Sequence, residues 1–459
     1  MSDTRFTASS LFPCTAAELY AWHSRPGALE RLIPPWEKTR VMVREGGIDP
    51  GGRVTMEMHA GPIPYLWHAR HVKNTPGVMF QDIQERGPFA RWTHTHFFTD
   101  TANGALLEDR IDYALPGSFL VPAFAVKMVD RTLQRIFRYR HDTLHADIEL
   151  HRRCSTKPQR ILISGASGIL GSALRPLLVT GGHDVWTLVR RRPDRSKQEI
   201  YWDPPSGHLN LAGLPPFDSV IHLAGDNIGG GRWTMAKKRQ VIDSRVQGTG
   251  LIARTIAQLP TPPKVLLTAS AVGFYGNCFD CCMREEDQAG NDFISDVCNL
   301  WEQAAQPAED RGIRTVIMRI GVVLTPRGGA LERLLSTAPI GFPRRFGDGD
   351  QFISWIGIND MISAILHALC TDSLHGPVNI AAPYPATNSE LLHTLARVLR
   401  RPLLPPIPAG MLRTMYGQMA EEVLLGGCRV ATDKLQQSGY RFRHADLEQT
   451  LRHLLGRCT

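Results

Sequence analysis

The sequence predicts two folds in one chain. An α+β unit, a curved antiparallel sheet around one long helix, takes the first third; a doubly wound parallel α/β sheet ending in a helix-rich segment takes the rest. Three observations carry this. Residues 161–171 read Ile-Leu-Ile-Ser-Gly-Ala-Ser-Gly-Ile-Leu-Gly, an apolar strand running into three spaced glycines with helix formers behind them. Beyond that point short apolar runs alternate with helical stretches. Before residue 151 the pattern is extended segments divided by Gly, Pro and Asn turns, closed by one long helical stripe.

The chain opens with a strand at 5–12, and Thr15 is placed to cap a helix over 16–23. Extended segments follow at 38–45, 53–60, 65–73, 79–85, 90–99 and 105–114. A helix is expected over 121–149, with Phe124, Met128, Val129, Leu133, Ile136, Phe137, Leu144 and Ile148 as its apolar stripe. Residues 151–158, His-Arg-Arg-Cys-Ser-Thr-Lys-Pro, are polar and proline-terminated, which sets a linker at 153–158 and a first domain at 1–152. The second domain, 159–387, has strands at 160–164, 184–189, 219–223, 264–270 and 314–320, with helices at 233–259 and 293–309. The helix behind the glycines carries Pro176, a local cost. From Asn388 the composition turns helix-rich with turns at Pro402, Pro405, Pro406 and Pro408, a C-terminal subdomain at 388–459 that completes the substrate side.

Each glycine of the turn has a task. Gly165 lets the chain leave the strand sharply, Gly168 leaves the backbone open to a pyrophosphate, and Gly171 lets the helix pack close to the strand. Ser167, Ile169 and Leu170 belong to the same turn, where the helix N-terminus faces phosphate charge. This is a Rossmann-type nucleotide turn. About 20 residues on, an acid would accept the ribose hydroxyls of NAD, whereas an arginine suits a 2′-phosphate. Arg190 and Arg191 stand there with no acid, so NADP (NADPH) is the expected cofactor.

At 459 residues, 43% apolar and 21% charged, the chain has the length for two or three domains and the composition of a soluble globular protein. Its apolar runs are strand-sized, far short of a membrane span. The N-terminus lacks the charged-then-apolar pattern of a signal peptide, and nine irregularly spaced cysteines make no disulfide framework, so a cytoplasmic location is expected. The net charge of +8 is spread without basic patches interleaved with aromatics; the expected partner is a small-molecule substrate and not a nucleic acid.

A curved sheet gripping one long helix resembles the START-like (SRPBCC) ligand-binding superfamily, which includes the polyketide cyclase-like proteins. The resemblance covers the first third of the chain, through element order and the phrases Leu32-Ile33-Pro34-Pro35-Trp36 and Gly87-Pro88-Phe89-Ala90-Arg91-Trp92. It implies a cavity for an apolar ligand between sheet and helix, which Trp22, Trp36, Tyr65, Trp67, Phe80 and Trp92 would either line or fill. His94 and His96 alternate on one strand and could share a metal. The same alternation suits a polar outer face, and no third or fourth ligand stands at a recognisable spacing; no metal site is expected.

From Arg160 onward the chain resembles the extended short-chain dehydrogenase/reductase superfamily, in an atypical branch labelled NAD(P)-dependent epimerase or nucleoside-diphosphate-sugar epimerase. The match rests on ordered phrases: the glycine turn; Val220-Ile221-His222-Leu223-Ala224-Gly225; Arg232-Trp233 followed by Asp243-Ser244-Arg245; Thr268 to Gly276; Trp301-Glu302; Arg319 to Leu324; and Phe352-Ile353-Ser354-Trp355-Ile356. The resemblance implies that Leu223, Ala224 and Gly225 lie along the cofactor, that Arg319 joins the cofactor residues, and that Ser270 sits near the nicotinamide. Gly357 occupies a place where the branch commonly has histidine.

A reductase of this superfamily uses a tyrosine whose phenol is made acidic by a lysine four residues later. The helix where that pair belongs, residues 293–302, has neither, which counts against ordinary alcohol–ketone chemistry. Ser270 and Tyr275 are the catalytic candidates, as a carbonyl hydrogen-bond donor and the nearest acid; each also fits a structural role, at a strand end and in a Phe-Tyr-Gly turn. Cys298, where the lysine belongs, reads as a small buried residue, and Cys278, Cys281 and Cys282 as an incidental thiol-bearing loop. Two functions remain open: an NADP-dependent oxidoreductase or epimerase acting on a small apolar or sugar-like substrate, and an NADP-binding sensor or scaffold without turnover whose first domain binds an apolar ligand or a partner.

Overall fold

The computed structural model describes residues 4–117, 122–154, 157–336 and 342–457. The chain forms two compact units, the first built on Met1–Ser155 and the second on Thr156–Arg175 and His183–Arg457. Residues 155 and 156 of the expected linker, and residue 121 of the expected helix, lie outside the described residues.

The first unit runs β1 (Thr4–Phe12), α1 (Ala16–Ser24), α2 (Ala28–Leu32), β2 (Arg40–Glu45), β3 (Arg53–Ala60), β4 (Ile63–Thr75), β5 (Met79–Arg86), β6 (Arg91–Thr101), β7 (Gly104–Ala114) and α3 (Ala123–Cys154). Its seven strands form one antiparallel sheet in the order β1-β7-β6-β5-β4-β3-β2. Strict alternation on β7 shows what fixes the register: Ala105, Leu107, Asp109, Ile111 and Tyr113 are buried, and the residues between them are not. Thr15 caps α1 through a capping box with Glu18. α2 was not foreseen. α3 starts one residue after Pro122, which has no N–H to lose at a helix start, and runs through the first two residues of the expected linker. Leu133, Phe137, Leu144 and Ile148 bury against the sheet, whereas Phe124 and Met128, expected in the same stripe, are exposed.

The second unit holds β8 (Arg160–Ser164), α4 (Ile169–Thr180), β9 (Asp184–Val189), β10 (Glu199–Asp203), β11 (His208–Leu209), β12 (Ser219–His222), α5 (Met235–Ala257), β13 (Val265–Ala271) and α6 (Phe293–Gln303), with later strands at Arg314–Ile320 and Gly376–Ile380. These eight strands form one sheet, β11-β10-β9-β8-β12-β13-(Arg314–Ile320)-(Gly376–Ile380), parallel except for the β10–β11 pair. β8 is almost wholly buried, as a central parallel strand covered on both faces must be. Three expectations are corrected. The sheet has strands at β10, β11 and Gly376–Ile380 that the apolar runs did not mark. The helix expected over 293–309 is two, because Pro307 cannot continue α6 and instead opens a short helix at Gln306–Asp310. Pro405 and Pro406 lie in a short strand, Leu404–Ile407, paired with Arg344–Phe346. Pro176 stays inside α4. Among the described residues no helix is long and apolar enough to cross a membrane.

In the first unit α2 is fastened to α3 by a buried ion pair. Arg31 Nε and Nη2 reach Asp147 Oδ2 and Oδ1 at 2.7 and 2.8 Å, with the two side chains 6% and 2% exposed. Such a pair adds little over a well-packed apolar alternative, but removing one partner strands the other charge. Arg31→Met is therefore expected to destabilise the unit by about 3–5 kcal/mol, and Arg31→Met with Asp147→Leu by much less. Urea denaturation followed by tryptophan fluorescence checks both.

Candidate active site: the glycine turn and its surroundings

β8 delivers the chain to Gly165, whose φ of +73° favours glycine. A Cβ there would sit 2.8 Å from Leu223 C and Ala224 N, so the turn after β8 and the segment after β12 touch main chain to main chain. At Gly171 a Cβ would meet Gly165 O at 2.3 Å, which is why α4 can pack against the turn. Gly168 differs: a Cβ there would meet only Gly165 O, at 3.3 Å, and otherwise faces open space. That leaves an unobstructed cradle at the N-terminus of a twelve-residue helix, the geometry a pyrophosphate requires.

A relay that sequence reasoning missed holds this junction. Ser164 Oγ accepts the Leu223 N–H at 3.2 Å and lies 2.5 Å from His222 Nδ1, so its own proton goes to the imidazole. His222 is fully buried, and burial pushes its pKa down to about 3; the ring is neutral and an acceptor at Nδ1. Beyond Gly225, α5 clips the same segment: Ser244 Oγ accepts the Asp226 N–H at 3.2 Å, and Arg245 Nη2 donates to the Asp226 carbonyl at 3.0 Å. This is the structural content of the Asp243-Ser244-Arg245 phrase.

At the end of β9 the two arginines separate. Arg191 makes a bidentate pair with Glu199 of β10 at 2.6 and 2.7 Å, and Glu199 also accepts the Asp194 N–H at 2.9 Å. Arg190 is exposed, and among the described residues no carboxylate pairs with it. The expected 2′-phosphate pair is thus one open arginine and one that fastens the loop.

The catalytic candidates lie in a closed network. Arg319 donates to both oxygens of Glu302 at 3.0 and 2.9 Å, to the Tyr275 hydroxyl at 2.9 Å and to the Glu285 carbonyl at 3.0 Å, with its guanidinium 3.5 Å above the Phe274 ring. Tyr275 donates to Asn379 Oδ1 at 2.8 Å, and Ser270 donates to Glu302 Oε1 at 2.7 Å. Ser270, Tyr275 and Arg319 are each 3% exposed. Burial pushes the Tyr275 phenol up to about 12, against the pull of Arg319, and burial followed by Glu302 does the same to the Cys298 thiol. Arg319, expected among the cofactor residues, is engaged by Glu302 and Tyr275, and Tyr275, expected as the nearest acid, is a buried phenol hydrogen-bonded to Arg319 and Asn379. Cys278, Cys281 and Cys282, expected in a loop, belong to a short strand, Cys278–Met283, paired with Cys428–Val430, and form no disulfide among the described residues.

In the first unit a cavity of about 460 Å³ is lined by residues of the sheet and of α3. Tyr65, Trp67, Phe80 and Trp92 line it; Trp22 and Trp36 do not, Trp22 being core and Trp36 lying edge-on against Tyr139. His94 and His96 also line it, contrary to a polar outer face.

Comparison with known proteins fits each part. Residues 161–381 match the family described as NAD dependent epimerase/dehydratase family, residues 12–140 the one described as polyketide cyclase / dehydrase and lipid transport, and residues 407–454 a domain of unknown function. Epimerase family protein Mb2239 of Mycobacterium bovis is 38% identical over 291 residues, covering 63% of this chain and 96% of that protein. Epimerase family protein SDR39U1 of Homo sapiens is 34% identical over 299 residues, covering 64% and 99%. The chain belongs to this epimerase family, with a polyketide cyclase-like domain ahead of the epimerase portion. Among solved structures, the nucleoside-diphosphate sugar epimerase of Corynebacterium glutamicum matches over 98% of this chain and 90% of its own, at 31% identity and TM-score 0.80. The human SDR39U1 structure with NADPH covers 65% of this chain and all of its own, at 31% identity and TM-score 0.60.

The relay carries a pH signature. The unfolded chain protonates His222 near its ordinary 6.5 and the folded one only near 3, so stability is full above pH 6.5 and falls as the pH drops through that window. The loss from this one group reaches about 4–5 kcal/mol at its limit. His222→Asn, which keeps an acceptor for Ser164, should flatten the slope; denaturation curves between pH 7 and 4 decide it.

Proposed function

We propose that the second unit binds NADPH at the glycine turn and acts as an oxidoreductase or epimerase on a small apolar or sugar-like substrate. The observation that carries this is the open cradle at Gly168 combined with Arg190 at the end of β9, where no acid stands. Gly168 and the α4 N-terminus, with Ser167, Ile169 and Leu170, would hold the pyrophosphate, Arg190 would meet the 2′-phosphate, and Leu223, Ala224 and Gly225 would flank the dinucleotide. The human relative solved with NADPH and the relative named a sugar-nucleotide epimerase support this reading. When bound, the nicotinamide supplies the hydride. The chain's own part is positional: Ser164 and His222 hold the segment after β12, and hydrogen bonds join Ser270 at the end of β13 to Glu302, Arg319 and Tyr275. The cavity of the first unit suits an apolar ligand.

NADPH should bind more tightly than NADH. Arg190→Ala should weaken NADPH about 10–100-fold, the worth of a charge-assisted hydrogen bond or two, and leave NADH unchanged; Arg191→Ala should cost less, because Glu199 already holds that side chain. Titration by nucleotide fluorescence reads both, and equal affinities in the wild type would refute the assignment.

Gly168→Ala should fold normally and lose NADPH affinity, whereas Gly171→Ala should lower thermal stability, since its Cβ would meet backbone. Tyr275→Phe should cost about 1–2 kcal/mol of stability while turnover stays near wild type; a large loss of kcat at unchanged stability would restore Tyr275 to the chemistry. Bound NADPH that no carbonyl compound of a broad panel oxidises would favour the sensor function instead.

A further inference from the structure

The antiparallel register of the first unit lines up polar residues on strands far apart in sequence. His71 of β4 faces Asp82 of β5, Asp82 faces His94 of β6, and one step along His96 of β6 faces Asp109 of β7. All but Asp109 line the cavity. One ligand atom from each of Asp82, His94 and His96 lies within 4.8 Å of the other two, and His94 Nδ1 is 3.7 Å from Asp82 Oδ1.

The second ring nitrogens explain the orientation. His94 Nε2 lies 3.0 Å and His96 Nδ1 2.6 Å from the same oxygen of Asp109, and the other oxygen of Asp109 is held by His141 Nε2 at 2.7 Å, itself fixed by Ser10. Asp109 thus orients His94 by a hydrogen bond and keeps His96 beside it at ion-pair distance, leaving His94 Nδ1 and His96 Nε2 uncommitted to it. Metal-ligating histidines are characteristically held this way, through a carboxylate on the nitrogen that does not bind the ion. Asp82 is 15% exposed, and among the described residues no donor bonds its carboxylate. His71 Nδ1, in the same row, is buried without a partner. The protein has therefore placed an unbonded carboxylate against oriented imidazoles at the wall of a cavity.

We propose that Asp82, His94 and His96 bind one divalent first-row transition ion, with Asp109 as the carboxylate that positions both histidines. Two imidazoles and a carboxylate suit Zn²⁺ or Fe²⁺, and not Mg²⁺ or Ca²⁺, which favour all-oxygen sets. Three protein ligands beside a cavity leave a coordination position for water or for an oxygen of the cavity's ligand. The site is distinct from the glycine turn and does not depend on NADPH.

The full-length protein, stripped with chelator and dialysed, is titrated calorimetrically with Zn²⁺, with Co²⁺ followed by its visible ligand-field bands, with Fe²⁺ under anaerobic conditions, and with Mg²⁺. One equivalent of a transition ion bound with micromolar or tighter affinity, and no comparable uptake of Mg²⁺, is expected. Asp109→Asn should weaken binding about 10–100-fold, and Asp82→Asn and His94→Gln at least as much. Asp82→Asn removes no hydrogen bond within the protein, so it should fold as the wild type does, which circular dichroism and thermal melting verify. Cys281→Ser with Cys282→Ser should leave binding intact. No saturable binding of any transition ion would overturn the site. So would binding that survives Asp82→Asn combined with His94→Gln, or binding that disappears with the two cysteines.

Discussion

The second unit depends on a steric constraint at the C-terminal ends of β8 and β12, where two main chains run so close that residue 165 has no room for a Cβ. β8 pairs with β9 on one side and β12 on the other, so the chains leaving them diverge and open a crevice at the point where strand order reverses. The glycine permits the approach, the Ser164–His222 relay maintains it, and Ser244 and Arg245 extend it past Gly225. A side chain at 165 would push the 223–225 segment outward and misplace every group that flanks a dinucleotide.

Polar groups are buried in the two units to opposite ends. Around Arg319 the donors and acceptors satisfy one another, and a satisfied network in a low-dielectric interior is stiff and chemically quiet. The cavity wall of the first unit leaves His71 Nδ1 and Arg140 Nε without hydrogen-bond partners and Asp82 with only a distant ion pair to His94. Burial of that kind costs free energy that only an occupant can return. The first arrangement builds a scaffold; the second describes a recess made for something polar as well as apolar.

Much of the fold was legible from local pattern. β7 is half-buried and alternates, so a period of two marks it, and Thr15 with Glu18 announces α1. The glycine turn was legible because each glycine answers a separate steric demand. What escaped was set by tertiary partners. Glu199-Ile-Tyr-Trp-Asp is too short and mixed to declare β10, and nothing in Arg190-Arg191 says which arginine will be captured by a glutamate eight residues on. The row joining Asp82 to His94 exists only in the register. His94 and His96 therefore looked like a pair lacking further ligands, although the third lay one strand away.

The pairing of β1 with β7 bears on how the chain is made. Thr4 aligns with Tyr113 and Phe12 with Ala105, so the first strand synthesised joins the sheet beside the last. Phe6 and Phe12, both buried in the finished unit, have no sheet to enter until about a hundred more residues have left the ribosome. During that interval β1 is a strand with both edges bare and Phe6 and Phe12 unburied, open to a chaperone or to a neighbouring nascent chain. The pace of translation through β7 thus sets how long the edges of β1 stay open.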